Sequence, residues 1–281
     1  MKKNGLFSRV FMALVFLFLY APIFVLIVFS FNATKSRSVW AGFSLQWYAE
    51  LFSDRAIMEA LRTTLAVSAL AAVISCIAGT AAAIGIHALR RRSRSVVLTI
   101  NNIPMTNADI ITGVSLSLLF MLAIDTFNKT LGLDLSKGFG TMLIAHITFD
   151  IPYVILSVLP RLRQLNPNVY EAAQDLGATG FTAFRKVILP DLTPGIINGL
   201  LMAFTMSIDD FVISYFTAGA KVSTLAMEIY SMARRKISPE INAISTLLFV
   251  SVLLLLVLIN VRQHQQEVKA KRRRAALTPG K

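Results

Sequence analysis

Six apolar runs, each about as long as a bilayer is thick, limit what this chain can fold into more than any other feature. They cover residues 10–31, 63–89, 96–124, 141–162, 195–217 and 241–261. A helix needs about 20 mostly apolar residues to cross the hydrocarbon core. Backbone N–H and C=O groups find no water there, so only helices or closed barrels survive. Period-two alternation is absent from these runs, which excludes a barrel. The expectation is an all-α integral membrane protein of six transmembrane helices. Composition agrees: 55% of the 281 residues are hydrophobic and the mean hydropathy is +0.64, outside the usual soluble range.

The distribution of Lys and Arg orients the bundle. With the N-terminus inside, 18 of the 28 fall on the inner side: in the first nine residues, at 90–94, at 161–186 and in the tail after residue 261. Both termini are therefore expected in the cytoplasm. The expected organisation is a cytoplasmic N-tail (1–9), one membrane domain (10–261, with a core at 63–261 that includes a cytoplasmic loop at 163–190) and a basic cytoplasmic C-tail (262–281). Outer loops are expected at 32–62, 125–140 and 218–240. The first carries Trp40, Trp47 and Tyr48, residue types that favour the membrane interface, so an interfacial helix is expected there. The first run is too long for a cleaved signal and lacks a small-x-small site.

The formal net charge of +13 lies in membrane-flanking loops, where anionic lipid and the topology rule explain it better than nucleic acid does. The single cysteine, Cys76, excludes an intrachain disulfide and reads as a small packing residue. A phosphate loop, H-E-x-x-H, a cysteine cluster and G-x-S-x-G do not occur. The chain is thus expected to be no enzyme, with no metal site and no cofactor of its own. Any ATP and Mg must be handled by another chain.

Ionisable groups inside spans are costly and usually mark a pathway. Asp109, Asp150, Asp209 and Asp210 fall within the runs. At about 1.5 Å per residue, Asp109, Asp150 and Asp210 are expected about 18–23 Å from the inner face. Steps of three and four give each run a polar stripe: Thr106, Asp109, Gly113 and Ser117; His146, Asp150, Tyr153 and Ser157; Ser207, Asp210, Ser214 and Thr217. Three stripes at one depth suggest a shared carboxylate-lined cavity suited to a polycation, with Phe149, Tyr153, Phe211 and Tyr215 near enough for cation–π contact. Pathway candidates are Asp109, Asp150, Tyr153, Asp209, Asp210 and Ser214. The bland readings pair Asp150 with His146 and let Asp209 cap a kink. A further stripe, Thr64, Ser68, Ala72, Ser75, Gly79 and Ala83, suits close helix packing, within the chain or against a partner subunit. Pro104 and Pro152 are expected to interrupt their spans and free backbone groups.

Between the fourth and fifth runs lies EAAQDLGATGFTAFRKVILP, residues 171–190. Asn166-Pro167 is a helix start, Gly177 a helix stop, and a second helical turn is expected from Thr179, with Pro190 punctuating the next segment. Ala172 and Ala173 let another surface approach closely. The spacing of Glu171, Ala172, Ala173 and Gly177 before Val187, Leu189 and Pro190 resembles the E-A-A loop of ABC-importer permeases. In that family the loop docks on a cytoplasmic ATPase.

The resemblance extends along the chain through YAPIFVLIVFSFN, WAGFSLQWY, AHITFDIPYV, MSIDDFVISYF and SPEINAISTL, which together are similar to permeases of spermidine/putrescine importers. Two related permease types share these motifs; the spermidine-preferential type is favoured, with the preference between the two polyamines left open. The resemblance implies a type I ABC importer (MetI-like) fold in a bacterial inner membrane. It also implies a heterodimer with a second, homologous permease chain, a dimeric ATPase that binds ATP and Mg, and an extracytoplasmic polyamine-binding protein. Glu171, Ala172, Ala173 and Gly177 match the coupling motif, and Asp209 and Asp210 match the family's acidic pair. Alternatives are an importer permease for a metal or oxyanion, and a channel or membrane enzyme built on Asp150 and His146; an oxyanion path should be lined by Lys or Arg, and none lies deep in a span.

Overall fold

A computed structural model describes residues 6–34, 39–235, 240–254, 256–257 and 260–261. The secondary structure is helical: α1 (Leu6–Phe29), α2 (Gln46–Ser53), α3 (Arg55–Ala88), α4 (Arg91–Thr106), α5 (Asp109–Leu131), α6 (Phe139–Gln164), α7 (Pro167–Asp175), α8 (Gly180–Ala183), a π-helical turn (Phe184–Ile188), α9 (Leu189–Asp209), α10 (Val212–Thr217), α11 (Leu225–Arg235) and α12 (Glu240–Leu254). Among the described residues, five helical segments are long and apolar enough to cross a membrane: Ser8–Phe29, Arg55–Ala88, Asp109–Leu131, Phe139–Gln164 and Gly180–Asp209. The sixth expected run falls on α12 and the residues after it, of which 255, 258 and 259 lie outside the described residues, as do most of the N-tail and the C-tail from residue 262.

The chain divides into two compact units, the first from Met1–Glu59 and Glu228–Leu258, the second from Ala60–Met227 and Ile259–Lys281. In the first unit, α1 exposes apolar side chains along its length, Phe18 at 81%, the surface that a bilayer covers. After it, buried Asn32 organises the connection to α2. Its side-chain amide donates to the Val39 carbonyl (2.9 Å), its side-chain oxygen accepts from Ala41 N–H (2.9 Å), and its own carbonyl accepts from the Trp47 indole (2.6 Å). Ser30 and Tyr48 share a 2.7 Å bond. Trp47 is therefore a core residue of this unit, a correction to the expected interfacial anchor: its N–H finds a carbonyl in the preceding loop.

The second unit is built around α6. Glycines let its neighbours approach. A methyl group at Gly79 of α3 would meet the Val154 side chain at 2.7 Å, and one at Gly195 of α9 would meet the Arg161 side chain at 2.9 Å. Gly199 likewise abuts Val154, and Gly113 of α5 abuts Phe216 at the end of α10. Without a hydrophobic drive between helices in lipid, such close contact supplies the association. The small-residue stripe of α3 is buried within the chain from Thr64 to Ala83, so it is not a surface left for a partner.

Two of the expected spans are broken. The run 96–124 divides at Asn107 and Ala108, both extended, into α4 and α5. Pro104 removes one backbone donor just before the break, and Asp109 then opens α5, where an acid favours the helix N-terminus. The run 195–217 breaks at Asp210 and Phe211. Below it, α9 joins α8 through the π turn, which accommodates Pro190 without ending the helix. Pro152 sits buried inside an uninterrupted α6, so that expected interruption does not occur.

Candidate functional site

The break above α9 is made by its own sequence. The Asp210 carboxylate accepts from Ile213 N–H (3.2 Å) and from Ser214 N–H (2.7 Å). These are first-turn donors of α10 that have no intrahelical acceptor. Asp210, rather than Asp209, caps the kink. Asp209, at the end of α9, is exposed. Neither forms an ion pair with Lys or Arg among the described residues.

His146 of α6 bridges the break. Its Nδ1 lies 2.6 Å from Ser207 Oγ on α9, and its Nε2 lies 2.9 Å from Ser214 Oγ on α10. All three residues are buried. Nε2 is also 3.6 Å from the Asp210 carboxylate, a contact that becomes an ion pair when the ring carries a proton. The imidazole thus ties both halves of the broken helix to α6. Burying two hydroxyls without partners would cost about 1–3 kcal/mol each, which this ring removes.

Asp150, one turn further along α6, is fully buried, and both its oxygens lack a hydrogen-bond partner among the described residues. It does not pair with His146. Gly79 abuts Val154 and Val67 clusters with Met142, so α3 and α6 run parallel in one register. That register sets Ser75 level with Asp150, but Ser75 donates to the Ala72 carbonyl of its own helix (3.2 Å). An uncompensated charge at such a place costs several kcal/mol, and the described residues bring Asp150 no hydrogen-bond partner that would offset it.

The remaining candidates are placed differently. Asp109 is exposed at the start of α5, which corrects its expected position midway along a continuous span. The break also takes Thr106 off the stripe. Tyr153 packs on Phe149, with ring centroids 5.3 Å apart, in a cluster with Phe120 and Ile213. Phe211 and Tyr215 pair at 5.5 Å, and Tyr215 is 53% exposed. The structure therefore gathers His146, Ser207, Asp210 and Ser214; it leaves Asp109 and Asp209 on the surface and seals Asp150 inside. From the loop before α6, Lys137 sends its ammonium to Ser117 of α5 (3.0 Å), a cation that the span patterns missed because it lies outside them.

At the other end of the unit the 163–190 loop folds as its residues specify. The Asn166 side chain caps α7 by accepting from Asn168 N–H (3.1 Å), and the Thr179 hydroxyl caps α8 by accepting from Thr182 N–H (3.3 Å). Leu176, Gly177 and Ala178 close α7 on the carbonyls of Ala172, Gln174 and Ala173. Gly177 has φ +85°, a region that L side chains enter only with strain. Glu171, Ala172 and Gly177 are exposed and Ala173 is half-buried. Sequence reasoning missed the apolar members of this surface: Leu176 is 90% exposed and Phe181 73%. Their signal was available, as large apolar residues in a polar loop outside any span.

The family described as binding-protein-dependent transport system inner membrane component matches residues 1–270. The putrescine transport system permease protein PotI of Escherichia coli (strain K12) is 41% identical over 234 residues, 83% of this chain and 82% of that protein. The spermidine/putrescine transport system permease protein PotC of the same organism is 36% identical over 247 residues, 88% of this chain and 90% of that protein. Among solved structures, a bacterial ABC transporter involved in the import of the acidic polysaccharide alginate matches with a TM-score of 0.70 at 18% identity, over 92% of this chain and 95% of that one. The MetNI methionine ABC transporter matches with a TM-score of 0.56 at 18% identity, over 75% and 98%. At such identities the likeness is one of fold.

Proposed function

The chain belongs to the inner membrane components of binding-protein-dependent transport systems, and from that premise we propose that it forms one half of the pore of a polyamine importer. It is an ABC-importer permease and not an enzyme. In the proposed reading six helices span the membrane with both termini cytoplasmic, within the organisation of tails and membrane domain given above. A second permease chain completes the pore. A dimeric ATPase, binding ATP and Mg, docks on the loop at Glu171, Ala172, Ala173 and Gly177, with Leu176 and Phe181 as its apolar anchors. A binding protein outside the membrane delivers the substrate.

One observation of the site carries the substrate class: an acidic pair stands at a helix break, with no Lys or Arg ion-paired to it among the described residues. A broken span brings backbone dipoles and side chains to membrane depth, where transporters place substrate, and two carboxylates there favour a cation. Asp209, exposed, offers the first contact; Asp210 is held by the cap. Asp109, Tyr153 and Ser214 would flank the path, and Asp150 would supply a further carboxylate when the helices part. The names of both relatives support a polyamine, and the higher identity to the putrescine permease gives no support for a spermidine preference, which we assign to the binding protein.

Uptake of labelled putrescine and spermidine by cells lacking their own polyamine importers tests this. The chain is expressed with its ATPase, companion permease and binding protein. Saturable, ATP-dependent uptake is expected. Absence of polyamine uptake by an assembled, hydrolysing complex would sink the substrate assignment and leave the permease role standing.

A further inference from the structure

At the end of the second unit that carries the loop, α3, α6, α7 and the π turn enclose a half-open cavity of about 740 Å³. That size lies within the roughly 300–1,000 Å³ of small-ligand sites. Its walls are two-sided in chemistry. Ile84, Leu162 and Ile188 supply an apolar face from the last turns of two spans and the π turn, while His87 and Arg163 bring polar groups to the rim. His87 Nδ1 is buried without a hydrogen-bond partner among the described residues. Its carbonyl, with that of Leu89, is held by Arg94, whose Nε is likewise buried and unpartnered. Neither Arg163 nor Arg94 makes an ion pair among the described residues. The cavity thus lies where two spans end, has a greasy wall, and is lined by the Arg163 cation and the His87 imidazole, whose Nδ1 is unpartnered, with no anion among its lining residues.

We propose that this cavity binds the headgroup of an anionic phospholipid, with the phosphate at Arg163 and His87 and the first acyl carbons against Ile84, Leu162 and Ile188. Basic pockets between spans on the cytoplasmic side take anionic headgroups for this reason: the leaflet supplies both the charge and the apolar tail. The proposal uses the cytoplasmic orientation given above but not the identity of the transported substrate. Tyr170 of α7 lines the same cavity, so the headgroup rests against the loop helix from behind, and anionic lipid supports that helix in its docking position.

The test is native mass spectrometry of the full chain in its transporter complex, taken from nanodiscs of phosphatidylcholine with or without phosphatidylglycerol. Preferential retention of phosphatidylglycerol is expected. Arg163→Gln should lower it about fivefold, the ratio expected of one basic residue at an anionic surface. Arg163→Lys should restore most of it, and His87→Gln should weaken it. Lys186→Gln, an exposed cation that does not line the cavity, should leave retention unchanged. Equal losses from Lys186→Gln and Arg163→Gln would mean diffuse attraction to the surface and overturn the site. So would displacement of the lipid by millimolar glycerol phosphate, which would mark the ligand as a free anion. Should the variants fail to assemble, photo-crosslinking of the unmodified complex with a phosphatidylglycerol analogue decides: adducts at Ile84, Leu162 or Ile188 support the assignment, and adducts confined to other helices refute it.

Discussion

Of the helix breaks in the second unit, the loop at 163–190 and the break at 210–211 use the same chemistry for different work. In the loop, Asn166 and Thr179 cap short helices on the surface, and Leu176 and Phe181 beside them are largely exposed. At the 210–211 break, Asp210 caps α10 within the bundle, and the flanking hydroxyls are buried against His146. A cap beside water replaces bonds that solvent could make. A cap inside a bundle replaces bonds that nothing else can make, so its loss costs more. The exposed break leaves large apolar side chains uncovered by the chain. The interior one is finished by the chain itself and is therefore the place where a helix can bend without losing its polar bonds.

The largest expected effect tests the exposed break. Gly177→Val places a β-branched residue in the left-handed region, at a cost of about 1–2 kcal/mol or more. ATP hydrolysis stimulated by the loaded binding protein should be lost in proteoliposomes, with helix content by circular dichroism unchanged. Persistence of the stimulation would show that docking does not need this turn. Next comes the interior break. Asp210→Asn keeps an oxygen for the cap and loses the charge, so uptake should fall about tenfold, equivalent to about 1.4 kcal/mol of cation attraction, with ATPase assembly intact. Asp210→Ala should add an assembly defect through the lost cap. If Asn and Ala behave alike, charge and cap are not separable in the way the geometry indicates.

Two smaller effects sharpen the contrast. Gly79 and Gly85 lie on one helix, but a methyl at Gly79 meets Val154 while one at Gly85 meets nothing within 4 Å. Gly79→Ala should lower the melting temperature of the detergent-solubilised complex, an overpacking cost of about 1–3 kcal/mol. Gly85→Ala should hold or raise it, since Ala gains about 1 kcal/mol over Gly in a helix. The smallest effect is Asn166→Ala, a cap in water worth about 0.5–2 kcal/mol, visible as faster amide exchange in α7 alone.

The loop and the helical class were legible because both are local. Asn-Pro, Gly177 and Thr179 specify their turns whatever surrounds them, and a 20-residue apolar run has few options. The breaks at 107–108 and 210–211 were hidden because averaging hydropathy over a span runs through one or two polar residues. Asn107-Ala-Asp109 and Asp209-Asp210 are stop and start signals read too lightly. The partners of His146 were out of reach, since Ser207 and Ser214 come to one ring only once α9 has ended and α10 has begun. Trp47 was misplaced because its residue type suits an interface, while Asn32, fifteen residues earlier, offered the carbonyl that buried it.

The π turn at Phe184–Ile188, in which Leu189 N–H reaches back to the Phe184 carbonyl, fixes an angular relation along the rest of that helix. An α-helix rotates by about 100° per residue, and a π turn holds one residue more than the regular coil. The acids at the top of α9 therefore point about a hundred degrees away from where a regular coil rising from α8 would aim them. Removing one residue from that turn would straighten the coil and swing both acids to another azimuth, with every apolar residue of the span still present.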